Sequence, residues 1–176
     1  KILSAKFCRE KKIPYLGICL GMQVMVVEFA RNVLGINDAN STEIDPSTSE
    51  PVISLLTEQE RVTDLGGTMR LGAYSCILDK DSKSYKAYAT TEISERHRHR
   101  YEFNNKYKEE IEKAGLRLAG TLKENVLCEI TEVKDHPWMV GVQFHPEFKS
   151  KPNLPHPLFK DFVKAMIKHQ KEGSKG

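Results

Sequence analysis

No window of this 176-residue chain approaches the roughly 18 uncharged apolar residues that a membrane-crossing helix needs. The N-terminus also lacks the basic, apolar and small-residue succession of a secretory signal, so the reading is a cytoplasmic protein with no membrane partner. Cysteine is sparse. Cys8, Cys19, Cys76 and Cys128 are widely spread with no Cys-x-x-Cys pair, which excludes a secreted disulfide scaffold and argues for reduced thiols. A strong charge of one sign is missing too: 27 basic and 24 acidic residues leave +3, too balanced for nucleic acid to be the main partner. Repeats, low-complexity tracts and internal linkers are also absent. What remains is one domain's length, enough to bury roughly 68 to 70 per cent of its unfolded surface.

What is present concentrates at Tyr15-Leu16-Gly17-Ile18-Cys19-Leu20-Gly21-Met22-Gln23. The apolar run 13–18 reads as a short buried strand, and 22–33 as a helix with no loop before it, so Cys19 falls on a tight strand-to-helix turn. Glycines two before and two after the thiol let the backbone turn without a Cβ clash. This is the logic of the Gly-x-Ser-x-Gly nucleophile elbow, with sulfur for oxygen. A helix starting at Leu20 aims its positive end at the sulfur and favours thiolate. The same pentapeptide also suits an ordinary buried cysteine, and alone it does not separate the two.

Along the chain, 1–12 suits a short amphipathic helix, and the helix after the elbow runs to about residue 34 with Gly35 as its stop. Helix, strand, elbow, helix implies α/β architecture with a parallel sheet covered on both faces. Residues 37–51 are polar and turn-rich and read as loop, except that 51–56 resembles a strand. The charged connection 57–64 follows. Met69, Leu71 and Ala73 then alternate with Thr68, Arg70 and Gly72 at strand spacing. Residues 82–89 and 105–114 read as helices, 116–119, 127–133 and 138–144 as strands, and 157–168 as a closing helix.

The segment Glu95-Arg96-His97-Arg98-His99-Arg100-Tyr101, if extended, puts three arginines on one face and two histidines on the other. It reads either as a solvated basic edge strand or as an anion site with forked guanidinium donors. Just past the strand 138–144 stand His145 and Glu147, where α/β enzymes keep active-site groups. With Cys19 they form the order nucleophile, base, orienter. A thiolate needs a neighbouring imidazole, and the imidazole needs a carboxylate to hold its tautomer.

At these residues the chain resembles the class I, triad-type glutamine amidotransferases, marked by a Gly-x-Cys-x-Gly elbow and a late His-Pro-Glu. Longer words, including Gly66-Gly67-Thr68-Met69-Arg70-Leu71-Gly72 and Glu95-Arg96-His97-Arg98-His99-Arg100, are similar to the CTP synthase group of that class. The resemblance implies a flavodoxin-like α/β fold, with a mostly parallel central sheet flanked by helices and some antiparallel strands. It makes Cys19 the nucleophile, His145 the acid and base, and Glu147 its partner. Leu20, Gly21, Met22 and Gln23 become part of a glutamine pocket, with the Leu20 N–H as an oxyanion donor, Glu43 for the substrate's amino group and Arg100 for its α-carboxylate. No metal ligand and no cofactor is implied within this chain. For the full-length enzyme the resemblance implies ATP, Mg²⁺, UTP and activating GTP, an N-terminal synthase domain and a homotetramer. It further implies a glutaminase domain over 1–170 that lacks its N-terminal strands and the Gly-rich turn giving a second oxyanion donor, and a flexible basic tail over 171–176. The connection 57–64 is short for the family.

Two rivals stay open at this point. One is a γ-glutamyl hydrolase or cysteine peptidase relative using the same nucleophile and histidine. The other is a regulatory module that keeps the fold without catalysis.

Overall fold

The computed structural model describes residues 1–55, 69–122 and 127–173. Helix α1 (Ile2–Lys11) leads into strand β1 (Tyr15–Ile18) and helix α2 (Leu20–Asn32). Strands β2 (Ala39–Ser41), β3 (Glu50–Leu55) and β4 (Arg70–Leu78), helix α3 (Lys83–Tyr88), and strands β5 (Glu92–His99) and β6 (Tyr101–Phe103) follow. A 3₁₀ turn (Asn105–Tyr107), helix α4 (Lys108–Ala114), strands β7 (Leu116–Leu122), β8 (Cys128–Val133) and β9 (Met139–Val142), a second 3₁₀ turn (Pro146–Phe148) and helix α5 (Pro157–Gly173) complete the order.

One sheet runs β1-β9-β8-β7-β4-β5 and a smaller one β2-β3-β6. The α/β class is as expected, but the parallel share is smaller: β1 with β9 and β2 with β3 are parallel, and the other described ladders are antiparallel. Strands β7, β8 and β9 succeed one another through short connections, which reach only an antiparallel neighbour. The sheet is buried on both faces around β9, where Val140 and Val142 join one apolar cluster and Met139 the other. Helix α2 is buried from Met22 through Ala30. Its fully buried Glu28 is matched by Arg9, whose Nε and Nη2 donate at 2.8–3.1 Å, fastening α1 to α2.

Three expectations need correction. Residues 39–41, read as loop, form β2, because pairing with β3 uses backbone groups and asks little of side-chain pattern. In β4 the alternation holds with opposite polarity: Leu71 is 64% exposed, while Arg70 turns inward to Glu102 and Glu129. Helix α5 runs on through Gly173, so residues 171–173, expected in a flexible tail, are helical. Strand β5 ends at His99 and β6 starts at Tyr101, so Arg100 stands in the break, yet it is exposed like Arg96 and Arg98 while His97 and His99 are buried, as the alternation predicts. The connection 57–64 and the stretch 64–68 lie outside the described residues.

Candidate active site

The register of β1 on β9 sets Ile18 beside Val142, so the residues following the two strand ends become neighbours. Cys19 follows one end and its N–H donates to the Val142 carbonyl at 2.8 Å. Its φ of 51° and ψ of −106° put a non-glycine residue in a disfavoured region, held there by the strand behind and the helix ahead. The two glycines of the elbow differ in role. A Cβ on Gly17 would lie 2.6 Å from both the carbonyl carbon and oxygen of Gly21, so the turn closes only over glycine there. A Cβ on Gly21 would meet only the Tyr15 hydroxyl, at 3.8 Å. That hydroxyl donates to the Gly21 carbonyl at 2.8 Å.

Past the end of β9, the His145 N–H donates to the Arg96 carbonyl of β5 at 2.8 Å. Pro146 opens the 3₁₀ turn that brings Glu147 back onto its own histidine, with Nδ1 and Oε1 2.7 Å apart. A carboxylate at Nδ1 keeps the hydrogen there and leaves the lone pair on Nε2. His145 Nε2 is buried and has no hydrogen-bond partner among the described residues. Phe148 stacks on the ring at 5.0 Å between centroids.

Burial pushes the Cys19 thiol up, the Leu20 N–H pulls it down, and Glu43, Glu147 and Glu102 push it up again. The helix N-terminus acts with the expected sign, but desolvation and three carboxylates outweigh it, so the thiol is held above its ordinary value.

A cleft of about 470 Å³ opens over the elbow. Cys19, Leu20, Gln23, Glu43 and Arg100, all named from the sequence, line it together. Gly21 and Met22 do not. Met22 is fully buried on the sheet side of α2, against Gly141, because one helical step from Gly21 turns its side chain away from the cleft. Gln23 Nε2 donates to the Tyr101 carbonyl at 3.1 Å and to Gln143 Oε1 at 3.3 Å, while its buried Oε1 has no hydrogen-bond partner among the described residues. His145 and Glu147 stand beside the cleft rather than in its wall.

Gln143 is a member that sequence reading passed over. It is fully buried, and its Nε2 lies 3.7 Å from Cys19 Sγ. The available signal was its place two residues before His145 on the strand that must neighbour the elbow. Arg98 also lines the cleft. Among the described residues no three His, Cys, Asp or Glu side chains converge as metal ligands, and no helix is long and apolar enough to cross a membrane.

A family model described as Glutamine amidotransferase class-I matches residues 1–165. The chain is 71% identical over 171 residues to a CTP synthase of Protochlamydia amoebophila, covering 97% of the chain and 32% of that relative. It is 58% identical over 167 residues to a CTP synthase of Bacillus velezensis, covering 95% and 31%. The chain thus spans about a third of the length of these curated relatives. Among solved structures, the glutaminase domain of Trypanosoma brucei CTPS with bound acivicin is similar at a TM-score of 0.87 and 37% identity, covering 95% of this chain and 65% of that one.

Proposed function

The chain belongs to the class-I glutamine amidotransferase family, and from that membership we propose that it hydrolyses the side-chain amide of glutamine and supplies the ammonia within a CTP synthase. The observation that carries the reading is the cleft in which Cys19, Glu43 and Arg100 meet. Glutamine is a zwitterion with an amide at its far end, so a site for it needs an anion, a cation and a nucleophile held apart.

Glu43 takes the α-ammonium and Arg100 the α-carboxylate, which sets the amide carbon over Cys19 Sγ. His145 Nε2 removes the thiol proton as sulfur attacks, then delivers it to the departing ammonia, while Glu147 steadies Nδ1–H. The Leu20 N–H, already directed at the sulfur, turns its dipole to the oxyanion. Water activated by the same imidazole cleaves the γ-glutamyl thioester, releasing glutamate and restoring the thiol. Ammonium bound at Glu43 also cancels one of the charges that hold the thiol protonated, so substrate helps to activate its own nucleophile.

By this reading the glutaminase domain covers 1–170, and the full-length enzyme, a homotetramer, aminates ATP-activated UTP to CTP under control by GTP. ATP, Mg²⁺, UTP and GTP are assigned to no described residue here. Ammonia release from glutamine by the Cys19→Ala protein is the test: loss of release is expected, and an undiminished rate overturns the assignment.

A further inference from the structure

Behind the cleft floor, Arg70 of β4 lies between two carboxyls, its Nη1 3.0 Å from Glu102 Oε1 and 2.8 Å from Glu129 Oε1. Glu102 and Glu129 are 1% and 0% exposed. One guanidinium balances one buried carboxylate, and a second negative charge here would stand uncompensated. Beside them His97 Nε2 is 3.4 Å from Glu129 Oε2, His97 Nδ1 is 3.0 Å from His99 Nε2, and His99 Nδ1 is 3.2 Å from the Tyr101 carbonyl oxygen.

The hydrogens of this chain can be placed by elimination. A carbonyl oxygen only accepts, so His99 Nδ1 carries a hydrogen. Burial first, and Arg70 next, keep both rings uncharged. A neutral His99 therefore accepts at Nε2, and His97 must donate from Nδ1. A neutral His97 then presents a lone pair at Nε2, and the group facing it is Glu129 Oε2. Both atoms are buried without a hydrogen bond among the described residues, and their 3.4 Å contact becomes one only if that oxygen carries a hydrogen. Glu129 Oε1 stays in polar contact with Arg70 Nη1 at 2.8 Å, and Glu102, which accepts the Arg70 hydrogen bond, remains its counter-ion. The cluster is then neutral overall, with Arg70 from β4, Glu102 from β6, Glu129 from β8 and the two histidines from β5; Tyr74 and Phe144 pack edge-on against His97, and His145, Cys76 and Cys128 are the neighbouring titratable groups.

We propose that Glu129 is a protonated carboxyl whose O–H anchors His97 and, through His99, holds the Tyr101 backbone, so that Glu129, His97 and His99 are positioning residues for Arg100. The direction of donation runs from the core to the strand break that carries Arg100. This inference rests on the reading of Arg100 as the α-carboxylate partner.

The Glu129→Gln and Glu129→Ala proteins test it. Glutamine reproduces a protonated glutamate, with an N–H for His97 and an oxygen for Arg70, so E129Q should keep KM for glutamine within about twofold of wild type. E129A should raise KM roughly tenfold with a smaller change in kcat. If E129Q is impaired as severely as E129A, or if KM is unmoved in E129A, the proposal falls. Nitrogen NMR of the histidine rings gives an answer independent of activity and of whether E129A folds. His97 should appear as the neutral Nδ1–H tautomer from about pH 5 to pH 8, and a cationic His97 there overturns the proposal. The Arg100→Ala protein separates the two readings: unchanged KM in R100A removes Arg100 from the substrate site while leaving the hydrogen placement to be judged by the NMR.

Discussion

Glu147 Oε1 sits 2.7 Å from Nδ1 of His145, two residues before it in the chain, and the turn that joins them begins with Pro146. Carboxylate, imidazole and the connection between them are therefore one local unit. The Glu147 side chain is 46% exposed, so water takes up part of its work when it is neutralised. Glu147→Gln is expected to lower kcat roughly 10- to 100-fold, at or below the usual range for general acid–base groups, with KM little changed. Steady-state ammonia release measures both constants, and a loss confined to KM would contradict the role.

Glu43 has two effects of opposite consequence. Its charge is among those that push the Cys19 thiol up, after burial. Glu43→Gln should shift the alkylation of Cys19 by iodoacetamide to lower pH, while KM for glutamine rises roughly tenfold or more as the α-ammonium loses a charged hydrogen-bond partner. A more reactive thiol in a weaker enzyme is the combined signature, and either half failing removes Glu43 from this position in the mechanism.

The two elbow glycines should separate in a denaturation experiment. Gly17→Ala puts a methyl against the Gly21 carbonyl, backbone against backbone with nothing flexible to give way, and should cost ~3 kcal/mol or more, or prevent folding. Gly21→Ala has room and stands in the first turn of α2, so it should be neutral or stabilising by at most ~1 kcal/mol. Equal costs at both positions would refute the asymmetry.

The buried ring pair gives stability a definite pH dependence. His97 and His99 are pushed down to about 2 and about 3, by burial first and Arg70 next, from an ordinary 6.5. Below that ordinary value the unfolded chain binds protons that the folded chain refuses. Their contribution is therefore complete above pH 6.5 and falls as pH drops towards 3. Glu102 and Glu129 act in the opposite sense: burial raises both above the usual 4.5 while Arg70 pulls both back, and the one proton the pair retains, on Glu129, stabilises most below that value and less as pH rises. Between about pH 4.5 and 6.5 the protons refused by the two rings outweigh the one retained by the carboxyl pair, so this cluster makes stability rise with pH. In E129Q the retained proton is gone and the slope should steepen. Urea unfolding of both proteins at the two ends of the window reads the difference, and an unchanged slope in E129Q would contradict it.

The elbow and the His-Pro-Glu segment were legible in the sequence because their geometry is local: a glycine spacing, a strand end, a proline. The ion pair for the substrate came from the family resemblance, and both members do line the cleft. What escaped was set by distant partners. Arg70 broke the apolar alternation of β4 because Glu102 and Glu129, 32 and 59 positions later, receive it in the interior. Strand β2 exists by backbone pairing with β3, which leaves no apolar pattern to read. The antiparallel share of the large sheet follows from short connections whose strands were identified but whose partners were not.

The strand break at Arg100 makes the cleft a length gauge. The chain leaves the large sheet at His99 and joins the small one at Tyr101, so the backbone of Arg100 is fixed between two sheets, while that of Cys19 is fixed at the end of β1. Asparagine, one methylene shorter than glutamine, anchored by the same α-carboxylate would present its amide carbon about 1.5 Å short of the sulfur, a misplacement that alone costs on the order of 100-fold. Discrimination between the two amides then needs no group that recognises the amide itself.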